Sequence, residues 1–177
     1  RSDKTFGGVS MTASYLNDGG GTSGDGGSAT GGAGSSWDVA FTGASDGMSY
    51  GAGYGVIGNG QAAANDDDQE ITAFVNYTFG MVTAGIQLSE TNEGTAGGAD
   101  ESTNAWGIAV NVNDDLSLSY GQREVEFGKV SATHVTEKVS GMAIAYTMGS
   151  IKIAGNMNDG KSLGGTAGAD DEMTEIA

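Results

Sequence analysis

From Gly8 onward the chain alternates, apolar and polar residues exchanging at every second position, while the 3.6-residue period of an amphipathic helix is nearly absent. This pattern predicts strands over residues 8–16, 37–42, 48–57, 70–79, 81–89, 105–112, 116–122, 139–148 and 151–157, with a tenth beginning at Met173. One parity is apolar or aromatic in every segment, as in Val9, Met11, Ala13 and Tyr15, or Met142, Ile144, Tyr146 and Met148. The opposite parity is small and polar, as in Ser10, Thr12 and Ser14, or Thr72, Asn76 and Thr78, and Phe74 is its one large apolar member.

The connections add what the strands alone leave open. Long stretches at 17–36, 58–69, 90–104, 123–138 and 158–172 alternate strictly with short ones at 43–47, Gly80, 113–115 and 149–150. An antiparallel meander with that rule gathers its short turns at one end and its long loops at the other. Greek-key sandwiches do not sort their connections so, whereas outer-membrane barrels join short periplasmic turns to long external loops. The aromatics also gather toward strand ends: Tyr15, Trp37 and Trp106 toward the long loops, and Phe41, Tyr50, Tyr77, Phe79 and Tyr146 toward the short turns. Two such bands suit a membrane barrel, because an amphipathic ring is most favourably placed at headgroup level.

A soluble sandwich would alternate as well, but its wet face would carry Lys and Glu against edge pairing, and here that face is Gly, Ala, Ser and Thr. The predicted fold is therefore all-β: a transmembrane antiparallel up-and-down β-barrel, with residues 1–177 forming a single partial barrel domain of short periplasmic turns and long, acidic, Gly-rich external loops.

Composition sharpens this. The 33 Gly among 177 residues disfavour helices. With no Cys and only His134, disulfides, thiol catalysis and a multi-histidine metal site are excluded within the chain. Against 23 Asp and Glu stand 7 Lys and Arg, a net charge of −16 that repels nucleic acid and attracts cations. There is no apolar run long enough for a membrane-spanning helix, and Arg1-Ser2-Asp3-Lys4 does not begin a signal peptide, so an export signal would have been removed or would lie outside this chain.

Two phosphate-binding patterns occur and lack their context. Gly53-Tyr54-Gly55-Val56-Ile57-Gly58 matches G-x-G-x-x-G, but the alternation runs straight through it. Gly155 to Ser162 matches G-x-x-x-x-G-K-S, yet the Gly-rich residues that follow cannot form the required helix. The acids Asp66, Asp67 and Asp68 are first of all a solvated loop, and the cofactor they could hold is Ca2+, which takes carboxylate oxygens from flexible loops. No Ser-centred elbow accompanies His134, so no enzymatic activity is expected.

Several stretches resemble Gram-negative general diffusion porins, particularly the alphaproteobacterial type: 36–41 with 47–55, the hairpin Val75-Asn76-Tyr77-Thr78-Phe79-Gly80-Met81-Val82, and Ser140-Gly141-Met142-Ala143-Ile144-Ala145-Tyr146. The resemblance implies a sixteen-stranded outer-membrane barrel, a homotrimer passing small hydrophilic solutes and ions. About ten strands are readable here, so the chain is expected to be a C-terminal fragment lacking the family's inward-folded constriction loop. The partners expected are outer-membrane lipid and the solutes.

The function expected is a water-filled channel for passive diffusion, preferring cations. Its pore-lining candidates are Asp38, Thr72, Asn76, Thr83, Gln87, Asn111, Arg123 and Lys152, all on the small polar parity. The alternative from another class is a soluble, secreted, calcium-binding adhesin or fibre module whose apolar face is a buried core. A smaller closed barrel with a structural or adhesive role is the nearest membrane competitor.

Overall fold

In the computed structural model, described over residues 2–6, 8–17, 34–58, 66–94, 100–128 and 135–177, the chain forms one antiparallel sheet. Its strands are β1 (Ser2–Phe6), β2 (Val9–Leu16), β3 (Ser36–Ser45), β4 (Met48–Ile57), β5 (Asp68–Phe79), β6 (Val82–Asn92), β7 (Asp100–Asn111), β8 (Leu116–Gly128), β9 (Thr136–Met148), β10 (Ile151–Lys161) and β11 (Asp171–Ile176). They lie side by side in sequence order, every neighbour antiparallel, with β1 and β11 at the two open edges. A 3₁₀ turn at Leu163–Gly165 is the only helical element among the described residues. The all-β up-and-down expectation holds. The sheet has eleven strands because β1, which lacks apolar alternation, also pairs with its neighbour.

Turn chemistry fixes the register of the short connections. Between β3 and β4, Ser45 pairs with Met48, leaving the two-residue turn Asp46-Gly47 with φ of 49° and 80°. Both values are positive, as a type I′ turn requires, and Asp-Gly is among its preferred pairs. The predicted 43–47 connection is therefore tighter than the sequence suggests, and Gly43 to Ser45 belong to the strand. At the next-but-one turn Asn113 Oδ1 accepts hydrogen bonds from the amides of Asp115 and Leu116 at 2.9 and 2.8 Å, the local side-chain turn that Asn favours.

At the other end the strands outrun the prediction. β7 begins at Asp100 rather than 105, β8 runs to Gly128 rather than 122, and β10 reaches Lys161 rather than 157. Strands of 10 to 13 residues result from β3 to β10, and a tilted strand needs about 9 to 11 to cross a bilayer.

No second layer covers the sheet among the described residues, and each strand packs on its sequence neighbours, the 3₁₀ turn adding contacts to β8 and β9. Burial is consequently inverted relative to a soluble sandwich. In β9, Met142 and Met148 are 55% and 57% exposed, whereas Ala143, Ala145 and Thr147 between them are half-buried. Val125 is the sole buried hydrophobic side chain among the described residues. Soluble monomers rarely expose contiguous apolar patches beyond a few hundred Å², yet here one spans the sheet from β2 to β10.

Candidate functional site

Register assigns each residue to a face. Along one row, Ala84, Ile108, Tyr120, Met142 and Met157 are successive cross-strand partners; these and their neighbours two residues away make the apolar face. Trp37 and Tyr54 pack at 5.5 Å between ring centroids, and Trp106 and Tyr120 at 5.6 Å, both pairs tilted and both on this face.

The opposite face carries all eight candidate wall residues. Asp38 is opposite Ser14, Thr72 opposite Ser89, Asn76 opposite Ser49 and Gly85, Thr83 opposite Thr78, Gln87 opposite Phe74, Asn111 opposite Ser117, Arg123 opposite Val139 and Lys152 opposite Thr147. Many directly opposed pairs hydrogen-bond to each other. The Thr72 and Ser89 hydroxyls lie 3.0 Å apart and those of Thr78 and Thr83 2.9 Å, Asn76 Nδ2 donates to Ser49 Oγ at 3.4 Å, and Ser14 Oγ donates to an Asp38 carboxylate oxygen. Hollows of about 690, 470 and 410 Å³ open on this face, lined among others by Asn111, Ser119 and Asn156, by Asn76, Thr83 and Gln87, and by Arg123, Gly141 and Asn158.

The small residues make room for the polar ones. A methyl at Gly85 would overlap Asn76 Oδ1, and one at Gly141 would overlap Asn158 Oδ1, each glycine lying directly opposite its asparagine. Gly53 and Gly55 likewise lie within β4, so the G-x-G-x-x-G match is a strand face and not a phosphate turn. The G-x-x-x-x-G-K-S match spans β10 and leads into three residues of 3₁₀ turn, with no α-helix to cradle a phosphate.

Charge on the polar face is richer than the sequence suggested. From β2 to β11 this face also bears Asp68, Glu70, Glu101, Glu137, Asp171 and Glu175. With Asp38 that makes seven carboxylates against Arg123 and Lys152. Glu70 already stands at the start of the predicted 70–79 strand, whereas Asp68, Glu101 and Glu137 lie in strand extensions where alternation ends and Asp171 and Glu175 in β11, so for these the continuation of pairing reveals the face. Arg123 is held by Glu137, whose side chain is 10% exposed and whose other oxygen accepts the Gly164 amide at 2.8 Å. On the apolar face, Lys138 Nζ lies 2.6 Å from Glu124 Oε1 at the long-loop end.

The acidic loop assembles no three-carboxylate cluster among the described residues. Asp68 Oδ1 accepts the Gly94 amide at 3.0 Å, and Asp66 enters through its backbone, which donates to Gly94 O at 2.7 Å. His134 lies outside the described residues.

No protein-family model and no curated protein matches the sequence. Solved structures do match the fold. An anion-selective porin from Comamonas acidovorans superposes with a TM-score of 0.72 at 15% identity, over 98% of this chain and 55% of that one. The outer-membrane expressed OmpT of Vibrio cholerae superposes with a TM-score of 0.62 at 11% identity, over 90% of this chain and 52% of that one. The chain spans about half the length of each, and the likeness is one of fold: an outer-membrane β-barrel sheet.

Proposed function

We propose that this sheet is part of the wall of a water-filled outer-membrane porin of a Gram-negative bacterium, passing small hydrophilic solutes and ions by passive diffusion. The observation that carries the reading is the inverted burial, with large apolar side chains outward and unpartnered while small hydroxyl and amide groups line the hollowed face. Burying one such apolar side chain is worth about 1.5–3 kcal/mol, so a face of this kind needs lipid. A solute moving along the opposite face exchanges bulk water for hydroxyls and amides already hydrogen-bonded to one another, and loses little solvation.

The channel prefers cations and assembles as a homotrimer in this reading. Seven carboxylates against two cationic side chains on the polar face, with the chain's net charge of −16, raise the local cation concentration over a screening distance of about 8 to 10 Å. The anion selectivity of the Comamonas protein is that protein's own, since selectivity rests on side chains and the two chains share 15% of them.

Planar-bilayer recording on the full gene product that contains this chain, extracted in detergent, tests the reading. Stepwise ohmic conductance in multiples of three, with a reversal potential under a KCl gradient of the sign for cations, is the expected result. Anion preference would remove the electrostatic part. A product that stays soluble and never inserts would make the apolar face a core and favour a soluble β-rich module.

A further inference from the structure

We propose that the connection between β10 and β11, residues 162–170, is an inward-folded narrowing of the passage at its long-loop end, that Glu137 is its positioning residue, and that Arg123 is the cationic group it presents to solutes. The proposal rests on the porin reading. It is carried by what the connection touches, because Leu163, Gly164 and Gly165 all meet the sheet on its polar face, while at the base of the connection Asp170 reaches Lys161 on the other. Leu163 lies over Gly160, where a side chain on the strand would overlap it, and Gly165 sits against the ring of Phe127. Gly160 pairs with Val139 and Phe127 with Glu101, so both belong to that face. Beneath the turn lies the carboxylate of Glu137, whose cross-strand partner Val125 is 7% exposed.

The connection is built to hold that position. Ser162, Gly164, Gly165 and Gly168 all have positive φ, which lets the chain double back within a few residues. Leu163 donates its amide to Ala169 O at 2.8 Å, Gly165 to Ser162 O at 3.0 Å, and Ser162 to Asp170 Oδ1 at 3.0 Å. One oxygen of Glu137 accepts the Gly164 amide and the other binds Arg123. A carboxylate this buried is costly unless both oxygens are satisfied, and here one group secures both the turn and the guanidinium. The Arg123 side chain remains 53% exposed, so it is anchored to the wall and still open to the passage.

This arrangement predicts shifts of opposite sign from the two charges. Arg123→Ala removes the exposed cation and raises the cation-to-anion permeability ratio by about twofold, whereas Glu137→Gln leaves the guanidinium unneutralised and lowers it by a similar factor. The double variant returns near the wild-type ratio, which a merely structural role would not produce. Replacing residues 162–170 by an Asn-Gly turn widens the mouth and raises single-channel conductance by roughly 1.5- to 2-fold. The recordings use the full gene product in planar bilayers under a KCl gradient, and if the turn replacement fails to insert, the three charge variants decide the matter. Unchanged permeability ratios in a wild type that conducts would overturn this inference and leave the porin reading intact. Absence of conductance in the wild type itself would overturn that reading, and this inference with it.

Discussion

The two ends of β8 and β9 obey opposite rules. Near the short turns, Leu118, Tyr120, Ile144 and Tyr146 point to the apolar face and Ser117, Ser119, Ala143 and Ala145 to the polar one. Near the long loops, Glu124, Glu126 and Lys138 occupy the formerly apolar face, while Val125, Phe127 and Val139 occupy the other. Pairing continues unbroken from one region to the other, so the strand has not slipped. What changes is the surroundings. In the porin reading proposed above, lipid lies outside and water inside in the first region, and water outside and the 162–170 turn inside in the second. A single strand thus meets two environments along each of its faces, and in that reading the place where hydrophobicity changes sides is the upper limit of the membrane belt.

Charge placement tests that boundary most severely. Ile144→Arg puts a guanidinium amid the apolar face and should destabilise the inserted protein by about 2–4 kcal/mol, the cost of such a charge near the bilayer midplane. The counterpart Glu126→Arg lies on the same face in the long-loop region and should cost well under about 1 kcal/mol, as at an interface. Equilibrium unfolding from lipid vesicles measures both. Equal costs at the two positions would break the comparison. A smaller effect is expected inside the turn-covered region, where Val125→Ala removes two methyl groups from the one buried apolar side chain among the described residues and should cost about 1.5 kcal/mol. The same change at Val110, on the apolar face, should cost less, because in the porin reading lipid tails refill the space.

This boundary also explains which parts of the fold could be read from the sequence. Alternation locates a strand only while its two faces meet different surroundings, so 139–148 was legible and its extension to Thr136 was not: Thr136, Glu137 and Lys138 are all polar. In β8 the alternation does not vanish but changes phase after Gln122, where Glu124 and Glu126 take the parity of Leu118 and Tyr120. A change of phase reads as the end of a strand. β1, with Ser2, Asp3, Lys4 and Thr5 in succession, gives no period at all. That the candidate wall residues share one face was legible because parity alone assigns it, as the placement of Asn76 and Gln87 illustrates. Glu137 was hidden because its role depends on Gly164, a residue 27 positions away, brought near by a turn that no local pattern announces.

The tight-turn end offers a further test on the backbone. Gly47 has φ of 80°, and a methyl there would meet Thr78 O at 2.6 Å. Gly47→Ala should therefore cost about 1 kcal/mol or somewhat more, through both the left-handed backbone and the crowding. Gly107→Ala, in an extended strand whose nearest contact would be 3.5 Å, serves as its control. Unfolding midpoints that fall equally for both would remove the special role of the Asp46-Gly47 turn.

The smallest effect belongs to Asp170, in the long-loop connection. Its carboxyl is held below the ordinary carboxylate range, first by the hydrogen bond from the Ser162 amide and then by the charge of Lys161, whose Nζ lies 3.5 Å away. A group whose folded pKa is depressed contributes stability that is fully present above its unfolded value and is lost as pH falls through the folded one. The contribution should therefore be constant from neutral pH down to the ordinary carboxylate range and disappear only below it. Asp170→Asn removes the charge at every pH, so the difference in melting temperature between wild type and variant should be small and flat near neutrality and should close on acidification. A difference that widened with acid would reverse the sign and mean that the carboxylate strains this turn and does not secure it. Because the group is exposed, salt should shrink the difference at neutral pH, whereas the turn's hydrogen bond to Glu137, nearly buried beneath it, should be insensitive to salt.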